Sequence, residues 1–84
     1  MKVIKFEESQ VDDIIDGELT EMVKTTDLNT NTFIYKKGEV LQLVSVLGEL
    51  EALTHFCIRI TDVKNYNLYN VYSFELDQRR YYEH

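Results

Sequence analysis

The chain has no proline, one cysteine and nine basic residues against fifteen acidic ones in 84 positions. Without proline, and without a glycine- or serine-rich tract, no linker divides it, and the length suits a single domain over 1–84. The lone Cys57 excludes an internal disulfide and cannot build a metal cage by itself. No apolar run approaches the roughly 20 residues that span a bilayer, and the first residues are too few and too charged for a secretory signal. The expectations are therefore no membrane association and a cytoplasmic location.

What is present is an ordinary globular composition, 44% hydrophobic, with a net charge of -6 placed unevenly. Between Glu7 and Asp27 stand eight carboxylates against the single Lys24. A surface of that kind repels nucleic-acid phosphate, so any such ligand must meet another face, and it attracts basic partners.

Alternation over 1–6, with Ile4 and Phe6 opposed to Val3 and Lys5, predicts a first strand. The period then changes. Val11, Ile14 and Ile15 fall at i, i+3 and i+4, with Asp12, Asp13 and Asp16 on the remaining face, as in an amphipathic helix of two to three turns. Ser9 and Asp12 have capping-box spacing, and Gly17 stands where a left-handed C-cap is wanted. Residues 18–25 read as a second strand, and 26–32, rich in Thr, Asn and Asp, as a loop. Phe33 to Tyr35 is short and apolar, and Lys36 to Glu39 reads as a turn into a central strand over 40–47. A short connection at 47–51 joins it to a strand over 52–63, with Phe56, Ile58 and Ile60 on one face and His55, Cys57, Arg59 and Thr61 on the other. After a turn at 64–67 the last strand spans 68–76, with Tyr72, Phe74 and Leu76 facing one way. The implied fold is α+β, a curled sheet or β-barrel of about five to six strands with one short N-terminal helix.

Two stretches make the chain similar to a shortened member of the ASCH group of PUA-like β-barrels. In the first, Gly17 and Thr20 match a family pattern of glycine, any residue, lysine, and threonine or serine, with Lys24 in place of a following arginine. In the second, Tyr35-Lys36-Lys37-Gly38-Glu39-Val40 resembles the family's aromatic, x, x, Gly, acidic, hydrophobic strand entry. Some family members are amidohydrolases of modified nucleosides whose chemistry uses the lysine. Leu19 occupies that position here and can neither attack nor hold a proton, so the resemblance implies binding rather than catalysis.

The PUA-like resemblance implies RNA or a nucleotide-like ligand, held by Thr20, Lys24, Tyr35, Lys36, Lys37 and Arg59. Lys64, Arg79 and Arg80 would supply further charge, and Tyr66, Tyr69, Tyr81 and Tyr82 rings for stacking. The competing reading is a protein–protein module resembling small acidic phage-encoded inhibitors, in which Glu8, Asp12, Asp13 and Asp16 occupy a basic groove of a host nucleic-acid enzyme. No cofactor or metal is expected: His55, His84 and Cys57 lack the spacing of a known site, and adjacent Asp12 and Asp13 point apart on a helix. Cys57 reads as a small buried hydrophobe. A nucleophilic role would need His55, two residues away on the same strand face, as its base.

Overall fold

A computed structural model describes residues 2–25 and 35–77. The elements are β1 (Val3–Glu7), α1 (Glu8–Ile15), β2 (Glu21–Thr25), β3 (Val40–Leu47), β4 (Leu50–Asn65) and β5 (Tyr69–Leu76). They form one sheet in the order β1-β3-β4-β5-β2, curled into an open half-barrel with α1 against it. β1 runs parallel to β3, and every other neighbouring pair is antiparallel. The α+β class, the strand number and the curled sheet thus agree with the sequence pattern. The loop expected at 26–32, the apolar Phe33 and Ile34, and Arg79, Arg80, Tyr81, Tyr82 and His84 lie outside the described residues.

The core sits between helix and sheet. Ile4 and Phe6 of β1, Val11 and Ile14 of α1, Met22, Leu41, Leu43, Ile58, Ile60, Tyr72 and Phe74 form one buried cluster. Leu41, Leu43, Ile58 and Ile60 come from the two central strands, where neighbours on both sides leave them no accessible surface. Burying side chains of this size stabilises by about 1.5–3 kcal/mol each. Ile15, expected on the apolar helix face, lies instead at its margin and is partly exposed.

Element ends show where local chemistry overrode the simple reading. β1 runs straight into the helix, so Ser9 is already helical and cannot cap it. The N-cap is Glu7, whose N–H donates to the Gln10 side chain at 3.1 Å. At the other end Gly17 adopts φ +80°, Gly17 N–H donates to the Ile14 carbonyl, and Glu18 N–H donates to that of Asp13. This is the Schellman arrangement, and it fits the C-cap expected at Gly17. Leu19 N–H also donates to the Asp13 carbonyl, which delays β2 to Glu21 rather than Glu18.

The β3–β4 connection is tighter than expected. Leu47 pairs with Leu50, so only Gly48 and Glu49 form the loop, and β4 begins at Leu50 rather than Ala52. β4 also continues through Lys64 and Asn65, which pair with Val71 and Asn70, leaving the turn to 66–68. Midway the β3–β4 register is broken between Gln42 and Val44. The Thr54 hydroxyl fills the irregularity, donating to the Leu43 carbonyl at 2.9 Å and accepting from Phe56 N–H at 3.1 Å. The bulge therefore leaves no cost of an unmade bond at that carbonyl.

Candidate functional site

The residues singled out for a nucleotide-like ligand fall in three places. Tyr35, Lys36 and Lys37 are together, lining a shallow cavity of about 270 Å³ with Asp62 and Val63. Thr20 lies in a cleft of about 250 Å³ between the end of α1 and β5, beside Asp16, Leu19 and Glu75. Lys24 borders a third cavity, of about 310 Å³, that reaches from β2 to Lys5 and Phe6 of β1. Arg59 is on β4 opposite Glu75 of β5 and forms an ion pair with it. The cross-strand register, not sequence proximity, decides that Arg59 is already engaged.

The Tyr35–Glu39 corner is held tightly. Lys36 N–H donates to Glu39 Oε1 at 3.0 Å, Glu39 N–H closes the turn on the Lys36 carbonyl, and Lys2 Nζ sits 2.9 Å from the Glu39 carboxylate. Burial alone would raise the Glu39 pKa. The hydrogen bonds from Lys2 and the Lys36 amide, together with the charges of both lysines, outweigh it and hold the carboxyl below the ordinary range. Tyr35 meets Tyr72 edge-on, with ring centroids 5.3 Å apart. Its phenol is pushed above its usual value by burial, then by the fields of Tyr72 and Glu39, with Lys2 opposing.

Beneath this corner lies a residue that inspection of the sequence did not single out. Asn70 is fully buried, and its Nδ2 stands 3.4 Å from the Tyr72 hydroxyl. Its Oδ1 has no hydrogen-bond partner among the described residues. The signal was present in the alternation of β5, which puts Asn70 on the same inward face as Tyr72 and Phe74. A buried amide of this kind costs about 1–3 kcal/mol when a lone pair goes unmatched. Near the β4–β5 turn the two exposed rings Tyr66 and Tyr69 stack on each other at 4.9 Å and 19°. That contact occupies one face of each ring.

The acidic residues behave differently. Glu8, Asp12, Asp13 and Asp16 are all exposed on α1 and its C-cap. Glu8, Asp12 and Asp16 follow one another at i, i+4 and i+8, and so stand in a single row along the helix. None of the three ion pairs among the described residues involves them, since Lys2, Lys5 and Arg59 engage Glu39, Glu51 and Glu75. Glu8 lies at the positive end of the helix dipole. Asp12, Asp13 and Asp16 approach the negative end, where the last turn holds no basic residue. Such a row destabilises an isolated helix by about 0.2–0.5 kcal/mol per like-charged pair.

Cys57 is buried and is not in a disulfide, in keeping with its reading as a small hydrophobe. Among the described residues no three His, Cys, Asp or Glu side chains converge as metal ligands, and no helix is long and apolar enough to cross a membrane. Comparison of the chain with protein-family models, curated proteins and solved structures finds no match.

Proposed function

We propose that this chain is a cytoplasmic, non-catalytic binding module of PUA-like type, and that it engages a basic protein partner through the outward face of α1. The observation that carries this reading is the Glu8–Asp12–Asp16 row, with Asp13 beside it, exposed and without counter-ions among the described residues. The row lowers helix stability where a lysine at the same spacing would raise it, and a surface needed only for solubility has no use for that cost. A basic groove, such as that of a nucleic-acid enzyme, supplies the missing counter-charge and speeds encounter by long-range attraction. The test is a pull-down with the intact chain and with an Asp12→Asn, Asp13→Asn, Asp16→Asn variant. One stoichiometric basic protein retained by the first and lost by the second supports the reading. A partner retained equally by both removes it.

The cavity at Tyr35, Lys36 and Lys37 favours a second reading, in which the corner takes the phosphate of RNA or of a nucleotide-like ligand. Its weakness is that Thr20, Lys24 and Arg59 do not join it. Filter binding of an RNA oligonucleotide should then fall steeply with salt and drop on Lys36→Glu, Lys37→Glu. Absent or salt-insensitive binding disposes of it.

A further inference from the structure

The end of α1 carries more hydrogen-bond acceptors than the fold uses. Asp16 N–H donates to the Asp12 carbonyl, Gly17 N–H to that of Ile14, and both Glu18 and Leu19 N–H to that of Asp13. Among the described residues no backbone donor reaches the carbonyls of Ile15 and Asp16, which stand at the negative end of the helix dipole. Both residues line the cleft of about 250 Å³ between α1 and β5. Two carboxylates share its rim. Asp16 is exposed and takes part in none of the three ion pairs, while Glu75 engages Arg59 through Oε1 alone and keeps half of its side-chain surface in solvent. The exposed Thr20 hydroxyl adds another acceptor, and no lining residue is basic. The walls below the rim are apolar, since Leu19 and Leu76 are half-buried and pack on the core to which Ile14 and Phe74 belong.

A rim of acceptors over apolar walls repels anions and matches a cation carried on a methylene stem. Arginine fits better than lysine. The acceptors are divided between the helix end and β5, and a guanidinium spreads five N–H donors over a plane where an ammonium gathers three at one point. We infer that this cleft is the anchor point for the basic partner of α1 and takes one arginine side chain of that partner. The inference rests on the acidic-face reading and deepens it, because Asp16 both ends the Glu8–Asp12–Asp16 row and lines the cleft. The two features then divide the binding between them. The row attracts at long range and sets the rate of encounter, and the cleft takes the arginine stem out of water and slows dissociation.

Two measurements on the intact chain test this. In the first, n-butylguanidinium is titrated against n-butylurea, a neutral compound of the same shape, with methyl and amide NMR shifts as the readout. The guanidinium should shift the methyls of Leu19 and Leu76 and the amides of 16–20 and reach saturation, and the urea should bind about fivefold or more weakly. Asp16→Asn should weaken the guanidinium about two- to fivefold, whereas Asp12→Asn, Asp13→Asn should leave it within about twofold. Equal binding of the two compounds, shifts spread evenly along α1, or complete displacement by calcium at matched ionic strength would overturn the assignment. In the second, Thr20→Arg, which sets a guanidinium of the chain's own at the rim, is compared with Asn67→Arg, the same charge in the turn at the other end of β5. Both positions are exposed, so neither exchange enters the core. Thr20→Arg should lower retention of the basic partner about tenfold relative to Asn67→Arg. Equal retention by the two removes the cleft, and the acidic-face reading still stands if Asp12→Asn, Asp13→Asn loses the partner. Recovery of no basic partner removes that reading and this inference together, whatever butylguanidinium does.

Discussion

The helix and the Tyr35–Glu39 corner handle charge in opposite ways. At the corner the carboxylate is matched: Glu39 receives Lys2 and the Lys36 amide, and the turn is tied to the core where Gly38 N–H donates to the Ile60 carbonyl and Ile60 N–H to that of Glu39. Along α1 and its C-cap four carboxylates are set side by side with no cation among the described residues to meet them. The corner's charges serve the fold, since their removal would loosen the entry to β3. Those of the helix oppose it and are best understood by what they present outward. Mutations can separate the two cases, because they should change stability with opposite sign.

The largest effect belongs to the backbone of the corner. Gly38 has φ +88° in a turn closed from Glu39 N–H to the Lys36 carbonyl, and a positive φ at that third position is what a type II turn requires. No atom stands within 4 Å of where its Cβ would be, so the cost of a side chain there is conformational and not steric. Gly38→Val should lose about 2–3 kcal/mol in urea unfolding. A loss under about 0.5 kcal/mol would show that the corner tolerates another turn and is not the rigid region described.

Glu39→Gln comes next, with an expected loss of about 1 kcal/mol at neutral pH, since an ion pair weakens and an amide accepts less strongly than a carboxylate. Its pH dependence is the sharper measurement. The folded carboxyl titrates below its ordinary value, so Glu39 contributes stability above the unfolded carboxylate pKa of about 4.3 and loses that contribution as pH falls through the folded value. The difference between wild type and Glu39→Gln should therefore be constant from pH 6 to 7, about as the unfolded pKa requires, and shrink on acidification below it. A difference that grew in acid would reverse the assigned sign.

Much of this division was legible in the sequence, and the reasons are local. Tyr35, Lys36 and Lys37 come together because they are consecutive, and β3 appears at Val40–Leu47 as its two mostly apolar faces implied. Val11, Ile14 and Gly17 likewise follow from helical spacing and cap chemistry. What was not legible depends on pairing between distant segments. Nothing near Arg59 announces Glu75, since their contact follows from the β4–β5 register, itself shifted between Ile60 and Asp62. The parallel pairing of β1 with β3, which leaves β1 and β2 as facing edges, is equally non-local. The Ser9–Asp12 cap failed for a related reason. The observed start lies two residues before the expected one, because β1 extends to Glu7 and the helix begins directly after it.

The smallest effect is the most discriminating, because its sign runs against the usual outcome of mutation. Asp12 has Glu8 four residues before it and Asp16 four after, so Asp12→Lys replaces two repulsive pairs by two attractive ones. The first, Glu8 preceding Lys, has the favourable orientation, and the new cation sits nearer the negative end of the helix. Together these should raise stability by about 0.5–1 kcal/mol, or a few degrees in melting temperature for a domain of this size. The same exchange should abolish retention of a basic partner, because it places a cation in the middle of the acidic row. A variant that is more stable and no longer binds would mean that the row is maintained against the interest of the helix. A variant that is less stable would mean that Asp12 has a structural partner, and the contrast between helix and corner would fail at that residue.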